Sequence, residues 1–220
     1  MGYKNKVLEF IDSNDENSIK EYHDKLYENL RVLCSREEKL LVWVIIIIFL
    51  YYFSGSLKSC SINFGLLSIG DNSEVLRILP VMLATVIFLL QSITLQKLKI
   101  THIVEIISTE RFAKEIVSPE TKSFLVKVIN PFTLLNSLSH MISEKLNWFE
   151  IIVSLILFTP LFVIGLSPYF VLISMLNDLY CNHFGSFSGK LCFWITLWLG
   201  VMTAFYYVTG IVRSIKENIK

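Results

Sequence analysis

Four histidines and four cysteines are all that this 220-residue sequence offers for soft metal coordination, and they are scattered. His23, His102, His140 and His183 form no HxxxH, and Cys34, Cys60, Cys181 and Cys192 form no CxxC, so no metal site is expected. The nine glycines do not cluster into a phosphate cradle, and no Walker A, GxGxxG, GxSxG or HExxH segment occurs. An intramembrane hydrolase or a proton-coupled carrier would need ionisable groups deep in its apolar segments, and these segments carry almost none. The expectation is therefore a chain that is not an enzyme, with no catalytic residue and no cofactor. A net charge of +1 gives no general attraction to nucleic acid, and such a partner is unsupported.

What the sequence has in excess is apolar surface. Hydrophobic residues make up 53% and the mean hydropathy is +0.56, beyond the usual globular range. The run "LLVWVIIIIFLYYF", Leu40 to Phe53, is fourteen residues long, which alone also suits a soluble core. Extended to Leu57, with Lys39 snorkelling to the headgroups, it reaches spanning length. Ile78–Leu95, Phe149–Leu176 and Leu191–Val212 are each about long enough to cross a ~30 Å hydrocarbon layer as helix. The expected fold is an all-α membrane protein of four transmembrane helices with a small cytoplasmic helical domain. A signal peptide is a poor alternative, because 38 residues with many acidic groups precede the first run and no small-x-small cleavage site follows it. Lys6 stands where a myristoylation signal needs Ser or Thr.

Basic residues set the expected orientation. Lys20, Lys25, Arg31, Arg36 and Lys39 precede the first span, and seven more lie between Gln96 and Trp148. The first outer loop has Lys58 and Arg77, and the third connection only Lys190. Both termini and the middle connection should be cytoplasmic. Trp43, Trp148, Tyr206 and Tyr207 would then sit at the inner interface, and Tyr51, Tyr52, Tyr180 and Trp194 at the outer.

The resulting organisation is a cytoplasmic arm over 1–38, a transmembrane hairpin over 39–95, a cytoplasmic helical connection over 96–148, a second hairpin over 149–213, and a tail over 214–220. In the arm, Ser13 and Glu16 are spaced as a capping box before a helical pattern. Ile19, Tyr22, Leu26, Leu30 and Leu33 share a face, so Tyr22, Leu26, Leu30 and Leu33 are the docking candidates, either for the middle connection or for a cytosolic protein partner. The segment "KLKITHIVEIISTERFAKEIV" has no breaker, so the second span should run on as one long helix. Ser118-Pro119 and Asn130-Pro131 mark two further helix starts.

The third span is interrupted by Pro160, Gly165, Ser167 and Pro168. Either it kinks, or it ends near Leu166 and a short interfacial helix starts at Ser167-Pro168; the second reading is preferred. On the fourth span Thr196, Gly200, Thr203, Tyr207 and Gly210 recur at four- and three-residue steps, and on the second Thr85 and Ser92 share a face beside Gln91. These stripes read as packing seams or as a weakly polar pore lining. Cys181 and Cys192 flank the loop "NHFGSFSGKL" and are candidates for a bridge, with Cys60 the competing partner for Cys181 and free thiols the third outcome.

The function expected from these features is a non-enzymatic four-span protein of the membrane, oligomeric, that forms or regulates a passage through the bilayer. Membrane-perturbing effectors of bacterial antiviral defence are a class-level analogy, and the absence of N-x-S/T sequons on the expected outer loops suits a bacterial inner membrane. The alternative is a membrane anchor or sensor recruiting a cytosolic partner, and an intramembrane enzyme comes third.

Overall fold

The computed structural model describes residues 3–56, 62–64, 67–69, 72–108, 110, 159 and 165–218. Long apolar and amphipathic runs without breakers become long helices. Helix α1 is Tyr3–Ser13 and α2 is Glu16–Ser56, joined at Asn14-Asp15. Helix α3 is Asn72–Ile107, continuous through Pro80 and through the charged stretch after the apolar run. Helix α4 covers 165–178 and widens into a π-helical turn at Leu179–His183, and α5 is Phe187–Asn218. Two three-residue strands, β1 (Ile62–Phe64) and β2 (Leu67–Ile69), pair antiparallel with Asn63 opposite Ser68, and the other elements among the described residues are helical, as expected of an all-α chain.

Among the described residues, two helices are long and apolar enough to cross a membrane, over Glu74–Ile107 and Phe187–Gly210. Only 28% and 11% of their most apolar windows are buried, so most of each window faces outward. Of the four expected spans, the first is helical up to Ser56 within α2, and most of the third lies outside the described residues, as do both proline-marked helix starts at 118–119 and 130–131.

Several local expectations need correction. Ser13 does not cap α2: its hydroxyl donates to the Glu9 carbonyl at 2.5 Å, because α1 extends through it. Asp15 takes that place, accepting from the Ser18 hydroxyl at 2.5 Å while its own carbonyl accepts the Ile19 N–H at 3.1 Å. The Ser18 hydroxyl, assisted by backbone N–H groups, holds the Asp15 carboxyl below the usual carboxylate range. The helix expected to start at Ser167-Pro168 is already under way at residue 165, which leaves Pro168 in the first described turns, where a missing N–H is tolerated. The segment expected as a flexible loop is mostly helical: only residues 184–186 separate the π-helical turn from α5.

The chain forms two compact units. Unit 1 comprises Met1–Glu37, Ile93–Ser154 and Gly210–Lys220. Its described core gathers Val7, Ile11, Ile19 and Leu26 with Val104, Ile106 and Ile107, so α1, the first half of α2 and the end of α3 close on one another. Unit 2 comprises Glu38–Ser92 and Leu155–Thr209, and its described core joins Val44 and Ile47 of α2, Leu79, Leu83, Ala84 and Ile87 of α3, and Leu172 and Met175 of α4.

Candidate functional site

Unit 2 holds Thr196, Gly200, Thr203 and Tyr207 of the α5 stripe, together with Thr85, Gln91 and Ser92 of α3. Its threonine hydroxyls are committed locally: Thr196 donates to the Cys192 carbonyl at 2.7 Å, Thr203 to that of Leu199 at 2.8 Å, and Thr85 to that of Val81 at 2.8 Å. Such back-bonding satisfies a hydroxyl inside an apolar helix and leaves it little polarity to present. Thr196 and Thr203 are buried, Gln91 and Ser92 half-buried, and Thr85 and Tyr207 exposed.

Gly200 does not act as a close-packing residue. A methyl group built there would meet no heavy atom within 4 Å, because the position borders a partly open cavity of about 640 Å³. Its walls include Leu166, Tyr169 and Ile173 of α4 and Gly200, Thr203 and Tyr207 of α5. The lining is almost wholly apolar. Close approach happens in unit 1, at Gly210, where an added methyl would come within 2.5 Å of the Leu95 side chain.

A second cluster in unit 2 is polar. Arg77 donates from Nε to His183 Nδ1 at 3.4 Å and from Nη1 to Ser188 Oγ at 3.1 Å. Asp178 accepts from Tyr51 Oη at 3.3 Å and from Asn182 Nδ2 at 2.6 Å. These bonds tie α2, α3 and α5 to the end of α4. Ser186 caps α5, accepting the Gly189 N–H at 3.1 Å, and Gly189 is required because a side chain there would overlap the His183 carbonyl.

Of the outcomes open to Cys181 and Cys192, the structure has the free thiols, and each cysteine is carried on its own helical turn rather than on a flexible loop. Cys60 lies outside the described residues, and Cys34 is buried. No known family, curated protein or solved structure matches this chain. No group of three or more His, Cys, Asp or Glu side chains converges as a metal site among the described residues.

In unit 1 the arm's apolar face is spent within the chain. Leu26, Leu30 and Leu33 are buried, whereas Tyr22 is 40% exposed and lies 4.9 Å from the Phe10 ring. The residues that sequence reasoning missed sit next to these leucines. Glu37 and Lys97 form an ion pair of 2.6 Å with side chains only 2% and 6% exposed, and Thr94 donates to the other Glu37 oxygen at 3.1 Å. A signal was present. Leu30, Leu33 and Glu37 follow helical spacing on one face, so Glu37 occupies the next position of the leucine stripe, and Thr94 and Lys97 are three apart on a helix expected to continue.

Proposed function

We propose that this chain is a non-enzymatic integral membrane protein with four helical spans, its termini and residues 96–148 on the cytoplasmic side of a bacterial inner membrane, and that its copies assemble to form or regulate a passage. The observation that carries this reading is the outward apolar surface of α5. Trp194 and Trp198 are each 60% exposed, and Val201, Phe205 and Val208 are exposed as well. A surface of this length and composition is stable only against lipid or protein. The same holds for the first apolar run, where Ile45, Phe49 and Phe53 of α2 are exposed. The cavity beside Gly200, Thr203 and Tyr207 adds a concave apolar face on the same helix, suited to a second copy or to lipid.

Induced expression should depolarise cells, and the purified chain should release a small dye from liposomes. A protein that leaves the membrane at alkaline pH would overturn the membrane part; one that stays but leaves both potential and liposomes intact would overturn the passage part. The recruiter reading is weaker, because Leu26, Leu30 and Leu33 are already buried within the chain.

A further inference from the structure

Two polar contacts in unit 1 pin α2 against α3 at separate levels. His23 Nε2 lies 3.1 Å from the Oγ of Ser108, the residue that directly follows α3, and Glu37 Oε1 accepts from Thr94 Oγ1 at 3.1 Å. Between them α2 advances fourteen residues and α3 retreats fourteen, which is what antiparallel helices in straight register produce. Fourteen residues are close to four turns, so both contacts fall on the same helix faces, about 21 Å apart. Ser108 is buried, as are Glu37 and Lys97, so both levels lie within the packed seam.

The leucines between these levels do little to choose a register, since an apolar face accepts an apolar face one turn along. Sliding α3 by four residues in one direction would set Glu37 against Leu90 and Ile93, Lys97 against Leu33, and His23 against Val104. Sliding it the other way would set Glu37 against Leu98 and Thr101, and Lys97 against Glu38 and Leu41. In neither case does a base meet Glu37. Each slip therefore buries the Glu37 carboxylate without its charge partner, and the first strands the Lys97 ammonium as well, which a desolvated seam does not tolerate.

We infer that the Glu37–Lys97–Thr94 cluster is the register-determining lock of unit 1, allowing the α2–α3 pair one alignment and preventing it from sliding by a helical turn. Apolar packing supplies the adhesion and the buried charges supply the choice. The inference rests on unit 1 alone and stands whether or not the chain forms a passage.

The test uses the full chain in lipid nanodiscs with its native cysteines replaced. His23→Cys is combined either with Ser108→Cys, which reports the observed register, or with Val104→Cys, which reports a one-turn slip, and a short bis-methanethiosulfonate crosslinker captures each pair, losing methanesulfinate at each end. With Glu37 and Lys97 intact, the 23–108 product should dominate. In Glu37→Gln or Lys97→Gln backgrounds its excess over 23–104 should fall by roughly tenfold, with a melting temperature lowered by roughly 10 °C. The exchange Glu37→Lys with Lys97→Glu should restore the 23–108 preference. Most decisive is the apolar replacement Glu37→Leu with Lys97→Met, which should keep the fold and the melting temperature but lose the preference. If that variant still yields the 23–108 product in the original excess, packing sets the register and the lock does not exist; the same conclusion follows if the single glutamine variants leave the ratio unchanged.

Discussion

The two units bury similar helices by different means. In unit 1 the seam between α2 and α3 contains a buried ion pair with a threonine, a histidine–serine contact and a row of leucines. In unit 2 the described core is aliphatic, the threonine hydroxyls are turned back on their own helices, and the large side chains of α5 point outward. The difference teaches where hydrophobicity can do sorting work. If water surrounds unit 1, burying leucine is itself a driving force and polar contacts are free to specify alignment. If lipid surrounds unit 2, leucine gains little by leaving lipid for protein, and shape and van der Waals contact must hold the helices together.

The largest expected effect concerns the ion pair. Replacing Glu37 alone with Leu leaves the Lys97 ammonium buried without its charge partner and should cost about 3–5 kcal/mol, read as lost thermal stability of the detergent-solubilised chain. Restoration by Lys97→Met on the same background would show that the loss came from the stranded charge; no restoration would mean that Glu37 matters through packing.

Next in size is a matched pair of core truncations. Leu30 in unit 1 and Leu83 in unit 2 are both fully buried. Leu30→Ala should cost about 2–5 kcal/mol, the range for a core cavity opened in a water-solvated unit. Leu83→Ala should cost less, because the transfer part of that penalty vanishes where the alternative environment is hydrocarbon. Equal losses in unfolding titrations would break the comparison and argue that both units face water.

Two glycines provide a finer contrast. Gly210→Leu would crowd Leu95 and should destabilise by about 1–3 kcal/mol, whereas Gly200→Leu enters the open cavity and should leave the monomer's melting temperature unchanged. Should Gly200→Leu nevertheless abolish assembly in crosslinking or size measurements, a second copy occupies that cavity.

The smallest effect belongs to the α2 cap. The Asp15 carboxyl is held below the usual range by Ser18, so its contribution is present above the unfolded-state pKa and is lost as pH falls through the lower folded-state value. Acidification should loosen the start of α2, detected as faster amide exchange at residues 17–20, and Asp15→Ala should show the loose start already at neutral pH without a pH step.

Much of the architecture could be read locally. Long apolar runs, absent breakers and the arm's leucine spacing are properties of contiguous residues, and α2, α3 and α5 follow them. The site was harder to read. Glu37 and Lys97 lie 60 residues apart in charged flanks, where an isolated charge ordinarily reads as solvated or as a topology signal. The Arg77, His183 and Ser188 contacts join positions more than a hundred residues apart and carry no periodic pattern. Gly200 looked like a close-packing position because small residues at helical spacing have the same sequence signature whether a neighbour fills the gap or leaves it open.

Helix type, and the apolar surplus behind the membrane proposal, were determined by the sequence alone, because each depends on interactions within a few residues or on summed composition. Tertiary structure decided which charges are buried, which glycine is crowded, and in what register α2 meets α3. Those outcomes depend on desolvation and steric contact between distant segments, and a charged side chain acquires its meaning only when the partner across the seam is known.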